Sequence, residues 1–326
     1  MMIPRHGSQF SGTGGHYESW FLRANHPHKS QAFWIRYTQF VPADARPALG
    51  ELWAIWFDGD RDRVVAVRQA WPLAECRFSR DKLDVQIGEA TLCERQAIGT
   101  ATHRGHQLGW QLAHSGDSAP LLFLPEAFYA GRLPKAKSVV SRPQVLFSGT
   151  LTVDGEQIVI DQWPGSENHN WGSQHTDQYA WGQVAAFDGY PNAFLECITA
   201  RVKVGPLRSP WLSIACMRVD GRDYFFNSLV QGLRSRGEYR FFDWRLECKN
   251  REASLSLSMR APASHFTGLT YLNPPGGSKT CLNSKMAHCE ATLRRSGEAP
   301  LRLVSAHGAA FEILTDRTDH GVALAV

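Results

Sequence analysis

Thr150-Leu151-Thr152-Val153-Asp154-Gly155-Glu156-Gln157-Ile158-Val159-Ile160 sets two alternating apolar runs on either side of an Asp-Gly pair. Alternation places apolar side chains on one face of a half-buried strand, and Asp-Gly supplies the positive backbone angles of a tight two-residue turn. The stretch therefore predicts a β-hairpin. The same period of two recurs at Leu83-Asp84-Val85-Gln86-Ile87, Leu108-Gly109-Trp110-Gln111-Leu112 and Leu255-Ser256-Leu257-Ser258-Met259, while Asp58-Gly59, Asp188-Gly189 and Asp220-Gly221 punctuate further strand-like runs. Helical signals are sparse. Pro125 to Ala130 predicts one short helical turn with proline at its first position, and no long segment repeats apolar residues at helical spacing. Many antiparallel strands without crossover helices predict an all-β chain of barrels or sandwiches, not a doubly wound nucleotide fold.

The 326 residues hold two domains of ordinary size. The best internal break is Trp163-Pro164-Gly165-Ser166, which predicts barrels over 1–165 and 166–326 with a boundary good to about twenty residues. Hydrophobic residues at 43% and charged residues at 20% mark a globular chain. The net charge of +4 is spread without a basic stripe, so no nucleic-acid partner is expected. No apolar run is long enough for a transmembrane helix, Met1 to Gly15 lacks the apolar core of a signal peptide, and no basic amphipathic helix is legible. Membrane contact is at most peripheral. Seven cysteines without CxxC spacing, mostly single among apolar neighbours, read as buried thiols of a reducing compartment, and the default location is cytoplasmic.

Asn168 to Gln183 packs His169, His175, Asp177, Trp171, Tyr179 and Trp181 into sixteen residues, with no aliphatic side chain larger than alanine. A core strand wants Val, Ile and Leu, whereas aromatic walls with a few ionisable groups suit a pocket for an apolar ligand. A second aromatic cluster opens the chain, from His16-Tyr17-Glu18-Ser19-Trp20-Phe21-Leu22-Arg23-Ala24-Asn25 to Phe33-Trp34-Ile35-Arg36-Tyr37-Thr38. On a strand, Phe33, Ile35 and Tyr37 share one face and Trp34, Arg36 and Thr38 the other. Either that second face lines a cavity holding a cation, or Arg36 points to water. Glu18 is either a pocket carboxylate or a surface partner of Arg23.

These two blocks, with Ala32 to Tyr37 and the run Phe147-Ser148-Gly149-Thr150-Leu151-Thr152-Val153-Asp154-Gly155 leading to His169-Asn170-Trp171-Gly172, resemble the superfamily of the carotenoid 1,2-hydratases (hydroxyneurosporene synthases) and AttH-like proteins, with plant tocopherol cyclases and fungal pericyclases as relatives. The resemblance covers much of the first 190 residues and leaves the last 130 unmatched. It implies two lipocalin-like β-barrels and a hydrophobic ligand, often an isoprenoid or polyketide. It also implies hydration, cyclisation or pericyclic chemistry without a cofactor in several members, and lipid binding alone in others.

Hydrating or cyclising an isolated alkene begins with protonation, which needs a general acid in a dry site and electron-rich faces around the developing cation. His175 and Asp177, two apart, would share one side of a strand, and a carboxylate would orient the imidazole and raise its proton affinity. His169 is the alternative proton carrier and Glu18 follows. Trp20, Trp34, Arg36, Trp171, Tyr179 and Trp181 are the candidate ligand-binding residues. The same segment also reads as a loop closing a barrel, with Trp171-Gly172 and Trp181-Gly182 as packing corners. His103, His106 and His114, or Cys281, His288 and Cys289, lack the spacing of a metal site. Neither a metal nor a cofactor is expected. Asn273 to Lys279 lacks phosphate-loop spacing, and no GxSxG nucleophile motif occurs. The reading is a hydratase or cyclase acting on an isoprenoid, polyketide or lipid, with a carrier or chaperone of a lipophilic metabolite as the alternative.

Overall fold

The structure, a computed structural model, describes residues 6–131, 133–204 and 207–326. Strands dominate, and they form two large antiparallel sheets. In the first, His16–Asn25, Gln31–Val41, Leu49–Asp58 and Arg63–Pro72 run as a meander. On its other edge His16–Asn25 pairs with the long strand Glu156–Gly172, which continues through Ala136–Val153, His106–Ser115 and Gln96–His103 to three short strands ending at Cys76–Phe78. Arg63–Pro72 folds back on Gln96–His103, where the Gln69 side-chain carbonyl accepts the Thr102 backbone N–H at 3.0 Å and draws the sheet into a barrel. Trp20, Phe33, Tyr37, Trp56, Trp110 and Phe147 fill it.

The second sheet runs from Arg222–Phe226 through Leu212–Val219, Ala193–Arg201, Gln178–Val184, Leu301–Thr315, Ser278–Arg295, Ala253–Arg260 and Asp243–Lys249 to Arg236–Arg240. Its interior holds Trp244, Phe311, Phe226 and Met259, and Trp244 Nε1 donates to Thr199 Oγ1 at 3.0 Å. The architecture is all-β with two barrels, as the alternation predicts. Between the barrels lies a second apolar layer that includes Trp34, Trp53, Phe57, Tyr271, Met286 and Leu314.

The Thr150–Ile160 hairpin forms as read: Val153 pairs with Glu156, and Asp154 and Gly155 both take positive φ, at 50° and 87°. The expected helical turn is Ala127–Ala130. A second helix, Leu229–Arg234, carries a capping box between Ser228 and Gln231 that the sequence reading passed over. Trp163-Pro164-Gly165-Ser166 is itself continuous strand, and the change of sheet comes a few residues later, inside the margin of about twenty residues on the expected boundary. The segment lies inside Glu156–Gly172, where Gly165 lets three strands close together: a Cβ there would overlap the Arg23 carbonyl oxygen. The first sheet ends at Gly172 and the second begins at Gln178.

Gly149 sits at φ 135° in the same sheet, and a Cβ on it would overlap the Gln111 carbonyl oxygen. Gly149→Ala is expected to cost at least about 2 kcal/mol, read as a lowered denaturation midpoint. Gly155→Asn, at a turn with open space around it, should stay within about 0.5 kcal/mol of the parent.

Candidate functional site

Adjacent strands His16–Asn25 and Glu156–Gly172 pair Trp20 with His169 and Glu18 with Trp171. Because side chains alternate, Glu18 and Trp20 face the first barrel's interior together with Glu167, His169 and Trp171. Glu18 has no exposure to solvent. Its carboxylate meets His169 Nε2 at 2.7 Å and His16 Nε2 at 3.0 Å, and it accepts from Ser8 Oγ at 2.7 Å and the Gln9 backbone N–H at 2.8 Å. Burial alone would push this carboxyl up. The bonds and charge of His16 and His169 outweigh it and hold the group at about 2.

His169 is itself fully buried, stacked on Trp20 (ring centroids 4.9 Å apart, planes 12° apart) and tilted against Trp171 at 4.7 Å. Its Nε2 is taken by Glu18, while its Nδ1 is buried without a hydrogen-bond partner. The pattern repeats two residues earlier in the same strand. Glu167 accepts from Arg142 at 2.8 Å and lies 3.2 Å from His114 Nε2, again with Nδ1 of that histidine unpartnered. Burial raises Glu167, but its bonds to His114 and His6 and the charge of Arg142 bring it down to about 2.

The other candidates lie in the layer between the barrels. Arg36 is buried, donating through Nε to Ser19 Oγ at 2.8 Å, with its guanidinium carbon 4.7 Å from the Tyr271 ring centroid and within about 6 Å of Trp34 and Trp53. Of the two readings of its face, the buried cation is the one present. His175 packs its ring 3.9 Å from Tyr17 and 5.6 Å from Tyr271, and burial, then Arg36, hold its imidazole down at about 3. Tyr179 joins the same apolar layer. Trp181 donates Nε1 to Glu196 Oε1 at 3.0 Å, and burial pushes the Glu196 carboxyl up to about 7 against that bond.

The expected His175–Asp177 pair does not form. Asp177 is engaged by Lys279 Nζ and Arg208 Nε, each at 2.9 Å. Ser173 to Asp177 belongs to no strand, so the two-residue period that would align the side chains does not apply there. Nor does Glu18 meet Arg23, which sits on the opposite face of its strand. The structure thus brings His169, Glu18, Trp20 and Trp171 together and leaves Trp34, Arg36, His175, Tyr179 and Trp181 in a separate layer. Sequence reasoning missed His16, Ser8, Glu167, His114 and Arg142. The alternations His16-x-Glu18 and Glu167-x-His169 were the available signals. Among the described residues no group of three or more His, Cys, Asp or Glu gathers to hold a metal, no helix is long and apolar enough to cross a membrane, and all seven cysteines are free.

No family model matches the sequence. In structure, the chain is similar to kievitone hydratase from Nectria haematococca (TM-score 0.58, 12% identity, 97% of this chain and 93% of that one). It is similar also to a putative AttH from Nitrosomonas europaea (TM-score 0.56, 13% identity, covering 94% and 98%). The fold is that of the AttH-like lipocalin proteins. CghA, solved with Sch210972, shares it as well (TM-score 0.58, 12% identity, covering 94% and 89%). In sequence, an uncharacterized protein of Mycobacterium tuberculosis, found in two strains, is 26% identical over 285 residues, 86% of this chain and 82% of that protein.

The depressed carboxyls make a pH prediction. A group held at about 2 rather than its ordinary 4.5 adds stability that is fully present above pH 4.5 and lost as pH falls through about 2. Each is worth on the order of 3 kcal/mol at neutral pH. Glu18→Gln should therefore lower stability at pH 7 and flatten its fall between pH 4.5 and 2, measured by denaturant titration at a series of pH values.

Proposed function

We propose that the protein is an acid–base enzyme of the hydratase or cyclase type, with His169 as its proton carrier and Glu18 as the group that orients it. The observation that carries the reading is the state of His169: Nε2 bonded to a buried carboxylate, ring held between two indoles, Nδ1 free. A ring nitrogen fixed by a carboxylate on one side, with the other nitrogen unpartnered, is the geometry of an oriented general base or acid. Glu18, held at about 2, is too weak a base to carry the proton itself and acts through His169. Arg36 and Lys285 in the inter-barrel layer argue against placing a carbocation there, whereas the first barrel offers indole faces and the negative Glu18.

In the proposed reaction, protonated His169 gives its Nδ1 proton to one alkene carbon, and the π pair forms the new C–H bond. The adjacent carbon becomes cationic beside the indoles that flank His169. Water adds through an oxygen lone pair and returns one proton to Nδ1, so that the net change is addition of water and the histidine is restored. A hydroxyl within the substrate in place of water makes the same step a cyclisation. The substrate class is an apolar alkene: an isoprenoid, polyketide or lipid. Ser8 and Gln9 bond to Glu18 and cover the dyad, so the segment they belong to must move aside for substrate. The hydratase fold neighbour supports the chemistry by analogy only.

The test is incubation with a panel of isoprenoid and polyketide alkenes in isotope-labelled water, with products read by mass spectrometry. A substrate found this way should lose at least about a hundredfold in kcat with His169→Gln while its affinity stays within about tenfold. Asp177→Asn should leave kcat within about threefold, since its partners are structural. Equal loss of binding and turnover in His169→Gln, or binding of panel members with no labelled product from the parent, would assign the protein to the carrier reading instead.

A further inference from the structure

The layer between the barrels buries three cations, Arg23, Arg36 and Lys285, and among the described residues only Lys285 has a carboxylate partner. Arg23 has no exposed surface, and its donors meet only neutral acceptors: the Gln183 carbonyl at 3.3 Å, the Gly308 carbonyl at 2.8 Å and the Asn25 side-chain oxygen. Its Nε has no partner. Lys285, equally buried, has Glu312 at 2.7 Å, and that carboxylate is shared with Asn283. Arg36 has a hydroxyl and aromatic faces but no carboxylate among the described residues. Of the layer's other acids, Glu51 is paired with Arg68, Asp177 is held by Lys279 and Arg208, and Glu196 sits beside Trp181 rather than beside a cation. A buried charge left without a counter-charge is costly, and proteins pair such groups or neutralise them. Burial already pulls the Arg23 guanidinium down to about 9.

Arg23 also lines a cleft of about 900 Å³ between the two sheets, at the end of its strand away from Tyr17 and His175. Val145, Leu146 and Phe187 give this cleft apolar walls, His26, His28 and His307 stand around it, and Asp188 is its one lining carboxylate. The Asp188 side chain already accepts from the Ala306 backbone N–H at 2.9 Å. A volume of this size suits a small amphiphilic ligand. We propose that the cleft is a binding site for an apolar carboxylate, whose head group supplies the negative charge that Arg23 lacks and whose chain lies along the Val145–Leu146 wall. This site is distinct from the Glu18–His169 dyad and stands or falls independently of it.

Isothermal titration at neutral pH with decanoate, decanol and decyltrimethylammonium tests the assignment on the full chain. The parent should bind decanoate at least about tenfold more tightly than decanol, and the cation least. Arg23→Met should reduce the decanoate preference to within about twofold. Leu146 is 41% exposed at the cleft wall, so Leu146→Asp can be made without disturbing the buried layer. It should weaken decanoate about tenfold and spare decanol, which keeps the proposal testable if Arg23→Met does not fold. Equal affinity of the parent for decanoate and decanol, no decanoate binding, or a preference that survives in a folded Arg23→Met would overturn it. Arg23 would then be a strut that ties the barrels through two carbonyls and nothing more.

Discussion

His16–Asn25 is a strand buried on both faces, and most of this molecule's organisation follows from that constraint. One face sends Glu18, Trp20, Leu22 and Ala24 into the first barrel; the other sends Tyr17, Ser19, Phe21, Arg23 and Asn25 against the second. A strand in that position has no water on either side, so each polar group it carries must find a partner inside the protein. Glu18 finds histidines and the N-terminal segment, Ser19 finds Arg36 and Thr38, and Asn25 bonds backbone carbonyls of Lys285 and His307 across the interface. Arg23 is charged yet finds only neutral acceptors, so its guanidinium is left without an anion.

Glu156–Gly172 repeats this division of labour. Its inward residues Glu167, His169 and Trp171 build the buried carboxylate–histidine cluster, and its outward residues bind the second barrel through side-chain amides. Ser166 Oγ donates to Gln183 Oε1 at 2.7 Å, and Gln183 Nε2 donates to Asn168 Oδ1 at 2.8 Å. The polar seam and the dyad therefore lie back to back on one pair of strands. A shift of one residue in their register would exchange the two sets, burying the amides in the barrel and turning His169 toward the interface. Register is held by Gly165 and Gly172, where a side chain would strike the carbonyl of Arg23 or of Lys135. The chemistry proposed for His169 depends on glycines that touch no substrate.

The same pair of strands divides the aromatic-rich segment 168–183 between two packing environments. Trp171 and Trp181 are ten residues apart and each precedes a glycine, yet one closes over His169 and the other bonds Glu196. Between them the chain leaves one barrel and starts the next. His175, in that crossing, is held neutral among tyrosines, and Asp177 is tied down by Lys279 and Arg208, so neither relays a proton to the other.

Alternation and Asp-Gly turns determined the all-β class, the hairpin at Asp154-Gly155 and the inward set of Gln31–Val41, because a period of two is a local property that the chain carries whatever it packs against. The aromatic blocks likewise marked Glu18, Trp20, His169 and Trp171 as unusual. Their union was not legible: Glu18 and His169 are 151 positions apart, and only the pairing of their strands sets them at 2.7 Å. The separation of His175 from Asp177, the continuity of the strand through Trp163–Ser166 and the lack of a carboxylate beside Arg23 were decided at the same level. Each depends on which surfaces two barrels bury against one another, and burial, more than residue type, decides whether a carboxyl stays charged or a guanidinium lacks a partner.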